Sequence, residues 1–227
     1  MPPMGERLPE EDVQMIAQWI REGASGPADP VEKSEPDLPA VDGSVSSLDD
    51  LQPVPFDASR QVEAMSSIGM MGGFVAPISQ GSSWLDVNLS LIRPPVDDSQ
   101  IKVLDGIKET VVWLNLGDTA ITNEGIRQSV AGLDSLRRLR LDRTQITDEG
   151  VSALVDLQDL EVLNLFGTQV GDGCLSTLEK LVSLQAVYLW DTQVTREGLD
   201  RLRSARPGLE VIHGATSSTR LLDDEKD

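Results

Sequence analysis

Four stretches of the chain alternate apolar and polar residues in the same way. They are VVWLNLGDTAIT from Val111, LRRLRLDRTQIT from Leu136, LEVLNLFGTQVG from Leu160 and LQAVYLWDTQVT from Leu184. Superposed, they share the pattern [LV]-x-L-x-x-T-x-[IV]-[TG], with Thr119, Thr144, Thr168 and Thr192 in one column. These threonines are 25, 24 and 24 residues apart, and a fixed period of that size signals a solenoid of stacked repeats. Alternation turns Leu114 and Leu116, or Leu163 and Leu165, inward from a short strand. Successive rows then pair as a parallel sheet, one strand per repeat. The column threonine falls where the chain turns inward, and its hydroxyl is suited to bond backbone groups of that turn that would otherwise be buried unpaired. The Ile or Val two residues on fills the core. Thr122, Thr147 and Thr195 mark helix starts, with Glu124, Glu149 and Glu197 in the first turns, and Gly171 replaces that threonine in the third row and predicts a weaker cap. Helices such as the one over 150–157 present Val151, Leu154 and Leu157 to the sheet.

The same pattern decays at both ends. WLDVNLSL from Trp84 repeats the strand, IRPP lengthens its turn by about two residues, and Val96-Asp97-Asp98 returns to step with Ile121-Thr122-Asn123. Ile101, Leu104 and Ile107 supply the apolar side of that repeat. In front of it, Val62, Met65 and Ile68 predict one face of a short helix ended by Gly69. FVAPIS follows as a short strand, which Pro77 confines to a sheet edge. Together they form an end cap, because a bare solenoid end exposes core. LEVIHGAT from Leu209 restarts the strand without the threonine and closes the stack, with His213 in the column of Tyr188. The expected fold class is therefore α/β: a short right-handed solenoid with a parallel sheet on one side and helices on the other.

Residues 1–25 stand apart. Pro9 followed by Glu10, Glu11 and Asp12 starts a helix, Val13, Ile16, Ala17 and Ile20 give it an apolar face widened by Met15 and Trp19, and Gly23 closes it. Six prolines among Asp, Glu, Ser and Gly make 26–58 an acidic linker too polar to offset its ordering entropy. The expected organisation is thus a helix fragment at 1–25, a disordered linker at 26–58, the repeat domain with its cap at 59–216, and a disordered acidic tail at 217–227.

Composition removes several functions. A net charge of −19 argues against nucleic acid and anionic membrane surfaces. One cysteine, Cys174, and one histidine, His213, leave no disulfide framework, no His- or Cys-rich metal site, no Ser-His triad and no Cys-His dyad. No stretch is long and apolar enough to span a membrane, and the N-terminus lacks the apolar core of a signal peptide.

The repeat, with its T-x-[IV]-T-D-x-G turn, is similar to the leucine-rich-repeat family in its bacterial form. That resemblance covers about 130 residues, and implies a concave sheet, convex helices and a protein-binding role without naming a partner. Residues 1–25 carry a second one. Met-Pro-Pro, a Gly-containing loop, L-[PS]-x-E-[DE] and a helix ending W-I-x-E-G-A resemble the C-terminal end of a class I c-type cytochrome domain. The resemblance implies Met1 as the axial ligand of a haem iron, with Met4 as the second candidate. The chain lacks the Cys-x-x-Cys-His attachment motif and the proximal histidine, so it attaches no c-type haem as it stands. The preferred account is a chain that begins late within a longer gene product, where haem c would be the cofactor. A decayed remnant, or an unrelated N-terminal helix, are the alternatives.

Strand residues that do not face the core line the concave surface in three columns. The first holds Trp113, Arg138, Val162 and Ala186, the second Asn115, Arg140, Asn164 and Tyr188, and the third Gly117, Asp142, Phe166 and Trp190. Aromatics and arginine are the usual energetic anchors of interfaces. The candidate protein-binding patch is Phe166, Tyr188 and Trp190 with Trp113, Arg138 and Arg140 alongside. Its plain alternative is rings stacked on one another or covered by linker or tail. Cys174 is read as a core thiol and His213 as a surface residue of the last row. Asp148, Glu149 and Asp172 are read as helix N-terminal charges rather than calcium ligands, and Gly171 and Gly173 lack the lysine of a nucleotide loop. The expected function is a non-enzymatic protein-interaction module without cofactor or metal in this chain. The alternative is a truncated electron-transfer protein whose repeats dock or position a missing haem domain; repeats that only brace a larger membrane assembly are a third reading. The compartment follows the same division, periplasmic or membrane-associated for the cytochrome reading and cytoplasmic otherwise.

Overall fold

The computed structural model describes residues 55–214, so the helix expected within 1–25, most of the linker and the acidic tail lie outside the described residues. A helix α1 (Ala58–Met70) and a strand β1 (Phe74–Pro77) precede six further strands. These are β2 (Leu85–Asn88), β3 (Val111–Asn115), β4 (Arg138–Arg140), β5 (Val162–Asn164), β6 (Ala186–Tyr188) and β7 (Glu210–Ile212). They lie side by side in chain order as one sheet; β1 pairs antiparallel with β2, and every later pair is parallel. The architecture is a leucine-rich-repeat solenoid.

The convex side is less regular than the sequence pattern predicts. It holds a 3-10 turn at Ile101–Gly106, a short α2 (Asn123–Gly125) running into a π turn at Ile126–Val130, and α3 (Asp148–Ser152). A 3-10 turn at Asp172–Cys174 then leads into α4 (Leu175–Lys180), and α5 (Arg196–Ala205) is the one element of ten residues. The helix expected over 150–157 stops at Ser152, yet Val151, Leu154 and Leu157 are all fully buried. A period of 24 or 25 residues leaves few positions for a helix once strand and turns are built, so apolar spacing is kept and helical hydrogen bonding is not.

Two columns of polar contacts register the rows. Thr119, Thr144, Thr168 and Thr192 donate their hydroxyls to the carbonyls of Leu116, Leu141, Leu165 and Leu189 at 2.6, 2.6, 2.6 and 2.8 Å. In front of each threonine the backbone is left-handed, with φ of 55°, 55°, 65° and 53° at Asp118, Arg143, Gly167 and Asp191. On the convex side a ladder of short polar side chains joins each repeat to the next. Asp98, Asn123, Asp148 and Asp172 accept from the backbone N–H of Thr122, Thr147, Gly171 and Thr195 at 2.8, 3.0, 2.6 and 2.8 Å. The ladder explains the glycines of the T-x-E-G turn, since a Cβ on Gly150 would lie 2.5 Å from Asn123 Oδ1 and one on Gly198 2.4 Å from Asp172 Oδ1.

Helix starts follow the threonines with one exception. Thr122 and Thr195 cap by accepting from the N–H of Glu124 and Gly198, whereas the Thr147 hydroxyl accepts from Asn123 Nδ2 instead. Gly171 offers no side-chain cap, as expected. At the N-terminal end, the buried face of α1 is Gln61, Ala64 and Ile68, while Val62 is exposed. A Cβ on Gly106 would meet Ala64 Cβ at 2.8 Å, so this contact admits only a small residue, and Gln61 Nε2 donates to Ser83 O and Thr110 Oγ1. Gly69 sits inside α1; the left-handed residue after it is Gly72, with φ 87°. At the other end, the Arg206 guanidinium donates to the carbonyls of Leu178, Glu179, Leu181, Val182 and Leu184, closing the chain end of α4.

Replacing Thr144 by Val keeps the shape and strands a buried carbonyl. Urea unfolding should show a loss of about 1–3 kcal/mol; a loss within error would remove the threonine column as a stabilising device. Gly150→Ala should also destabilise, and by less when combined with Asn123→Ala, because the second change removes the obstructing oxygen.

Candidate binding surface on the concave sheet

The strand register joins the outward residues into continuous columns. Asp86, Trp113, Arg138, Val162, Ala186 and Glu210 form one; Asn88, Asn115, Arg140, Asn164, Tyr188 and Ile212 form the next. The second column shows why a solenoid repeats asparagine there. Asn88, Asn115 and Asn164 each accept from the N–H two residues on, at 3.0, 3.0 and 2.9 Å, and so turn the chain out of its strand. Arg140 and Tyr188 replace asparagine in β4 and β6, so those two rows present something other than a turn-forming amide.

The face divides into a polar part over β2 to β4 and an apolar part over β5 to β7. In the polar part the Arg138 guanidinium lies 4.8 Å from the Trp113 ring centre, a cation–π contact across neighbouring strands. Arg140 donates through Nε and Nη2 to the two oxygens of Asp142 at 3.0 and 3.3 Å. That carboxylate is 2% exposed and seated over Gly117, where a Cβ would approach both oxygens to 2.8 Å. Arg143 makes a two-pronged pair with Asp118 of the preceding row, at 2.7 and 2.6 Å, and its guanidinium lies 5.6 Å from the Phe166 ring. Burial raises the Asp86 carboxyl above its ordinary range, against the opposing charge of Arg138. The Arg143 hydrogen bonds hold Asp118 below it.

In the apolar part Phe166 is half-buried and Trp190 is 42% exposed. Tyr188 differs from the expectation of an open contact residue. It is 5% exposed, and burial, with the Glu210 charge adding to it, raises its phenol above the ordinary value. The last row also differs by one residue. Ile212, not His213, pairs with Tyr188, because the final step keeps the 24-residue period. Cys174 lies in the core, its thiol pushed up to about 12 by burial and by the charges of Asp148 and Asp172. Asp148 and Asp172 are bonded into the ladder, which is a larger task than the helix-end charge expected of them. Among the described residues no group of three His, Cys, Asp or Glu side chains is placed to hold a metal ion, and no helix is long and apolar enough to cross a membrane.

Sequence patterning did not single out Asp118 and Arg143. Gly167 in the same column was the available signal, since a glycine at a fixed step before the threonine marks a left-handed position. Arginine is rare there, and its bidentate partner one row away holds it.

These features define a leucine-rich-repeat solenoid, and a Leucine Rich repeat family model matches residues 134–155. Among solved structures the chain is similar to a leucine-rich-repeat protein of Leptospira interrogans, with 21% identity over 49% of this chain and 27% of that one, at a TM-score of 0.37. It is similar also to two internalins of Listeria monocytogenes. The first shares 18% identity over 51% of this chain and 38% of its own, at a TM-score of 0.36. The second, internalin C2, shares 19% over 63% and 78%, at the same TM-score. The matched part of the chain thus spans well under half of the first two. No curated protein matches the sequence.

Asp118 and Asp172 both titrate below the ordinary carboxylate range, Asp118 chiefly through Arg143 and Asp172 chiefly through the Thr195 N–H. A carboxyl depressed in the folded state adds stability above its unfolded pKa of about 3.9 and loses it as pH falls through the folded value. The thermal midpoint should therefore fall as pH drops from about 5 towards 2. In Asp118→Asn the fall should be shallower; an unchanged slope would show that the pair adds nothing.

Proposed function

We propose that the chain is a non-enzymatic protein-interaction module whose concave sheet face is the contact surface. The observation that carries this reading is Phe166 and the exposed Trp190 in neighbouring rows of one outward column, beside the two columns that hold Arg138 and Arg140. Large rings left at the surface of one sheet face, beside arginines held by neighbours, are the composition of an interface centre. Tyr188 is buried, and Trp113 serves as a platform for Arg138 rather than as a contact in its own right. The leucine-rich-repeat architecture agrees with a binding role, because such a sheet offers an extended surface that its own core does not use.

The electron-carrier alternative rests on the sequence of residues 1–25 alone. An in-frame Cys-x-x-Cys-His encoded upstream of Met1 would support it.

A random peptide display library panned on the full chain tests the contact surface. Enriched peptides should bind the wild type and lose binding to Phe166→Ala with Trp190→Ala, while the unfolding midpoint and far-ultraviolet spectrum stay close to wild type. Peptides that bind the folded double variant unchanged would remove the concave face as the contact surface.

A further inference from the structure

The arginines of the β4 row are not equivalent. Arg140 is matched by Asp142, and Arg143 by Asp118. Arg138 has no ion pair or hydrogen bond to its guanidinium among the described residues, although it is partly buried on the Trp113 ring. Its Nε and the neighbouring Trp113 Nε1 are both buried without an acceptor. Asp86, in the same column beyond Trp113, exerts a charge on Arg138 but forms no bond with it. A cation that has lost part of its water and gained no anion recovers free energy when a carboxylate reaches it.

We infer that the partner is a peptide segment carrying one carboxylate side chain for Arg138 and an apolar side chain for Phe166 and Trp190. The inference rests on the concave face being the contact surface. Phe166 lies one row over from Arg138 and four positions beyond its partner Val162, just past the end of β5. At about 4.8 Å between strands and at most about 3.3 Å per residue, the separation is up to roughly 14 Å, or about four residues of extended chain. The segment is therefore acidic at one position and apolar about four residues away. The molecule's net charge of −19 specifies a single acid rather than an acidic run, since long-range repulsion grows with each added negative charge while only Arg138 lies unpaired on this row.

The same display panning tests this through the consensus it yields. Peptides selected on the wild-type chain should share an Asp or Glu about four residues from an apolar residue. Their affinity should fall by about tenfold or more in Arg138→Gln, a shorter side chain that stays polar but loses the charge, in a variant whose unfolding midpoint is checked against wild type. Selection on Arg138→Glu should move Lys or Arg into the acidic position. Peptides that need Phe166 and Trp190 but carry no acid, or that bind Arg138→Gln within about twofold of wild type, overturn the inference and leave the contact surface standing. Peptides indifferent to Phe166→Ala and Trp190→Ala, or a panning that enriches none, count against both.

Discussion

Each repeat must bury a reversal of its own backbone, and this constraint shapes everything else in the structure. Where the chain leaves its strand and enters the convex side, the carbonyls of Leu116, Leu141 and Leu165 lie within the core, out of reach of water. The threonine three residues on returns a hydroxyl donor to that carbonyl. A left-handed residue before the threonine makes the return possible. Remove this bond and the repeat loses both a hydrogen bond and its reason to turn.

The Asp and Asn ladder solves the matching problem between repeats. Each acceptor reaches across to the first N–H of the next helix start, so rows are joined on the convex side as well as through the sheet. The cost is local crowding, which is why glycine stands at 125, 150 and 198, each with a ladder oxygen where its Cβ would be. At Arg196 the column loses its acceptor, and the next row, β7, is the last. With sheet, turns and ladder satisfied internally, the outward residues other than the turn-forming asparagines are the part of each repeat least committed to folding.

The four-row pattern made most of this legible. The strand positions, their parallel pairing, the inward leucines and the threonine bonds follow from alternation and period, because both are local consequences of a strand repeated every 24 or 25 residues. The outward columns were legible for the same reason. Their contents were not: Tyr188 is outward by register yet buried, and the charges of Arg140 and Arg143 are taken up by Asp142 and Asp118. Pairing across rows depends on side-chain reach and on which neighbours a residue has, neither of which alternation encodes.

The same division separates what belongs to the chain's linear order from what required its folding. Period and alternation alone determined that this is a stack of repeats with a sheet on one side, since burying every second residue at a fixed interval admits one arrangement of rows. Only the tertiary structure decided which face residues remain available. It moved His213 out of the Tyr188 column by a single step, it bonded Asp148 and Asp172 into a ladder, and it left Arg138 on Trp113 without an anion. Those outcomes turn on contacts between residues about 24 positions apart, which are formed only when the rows are stacked.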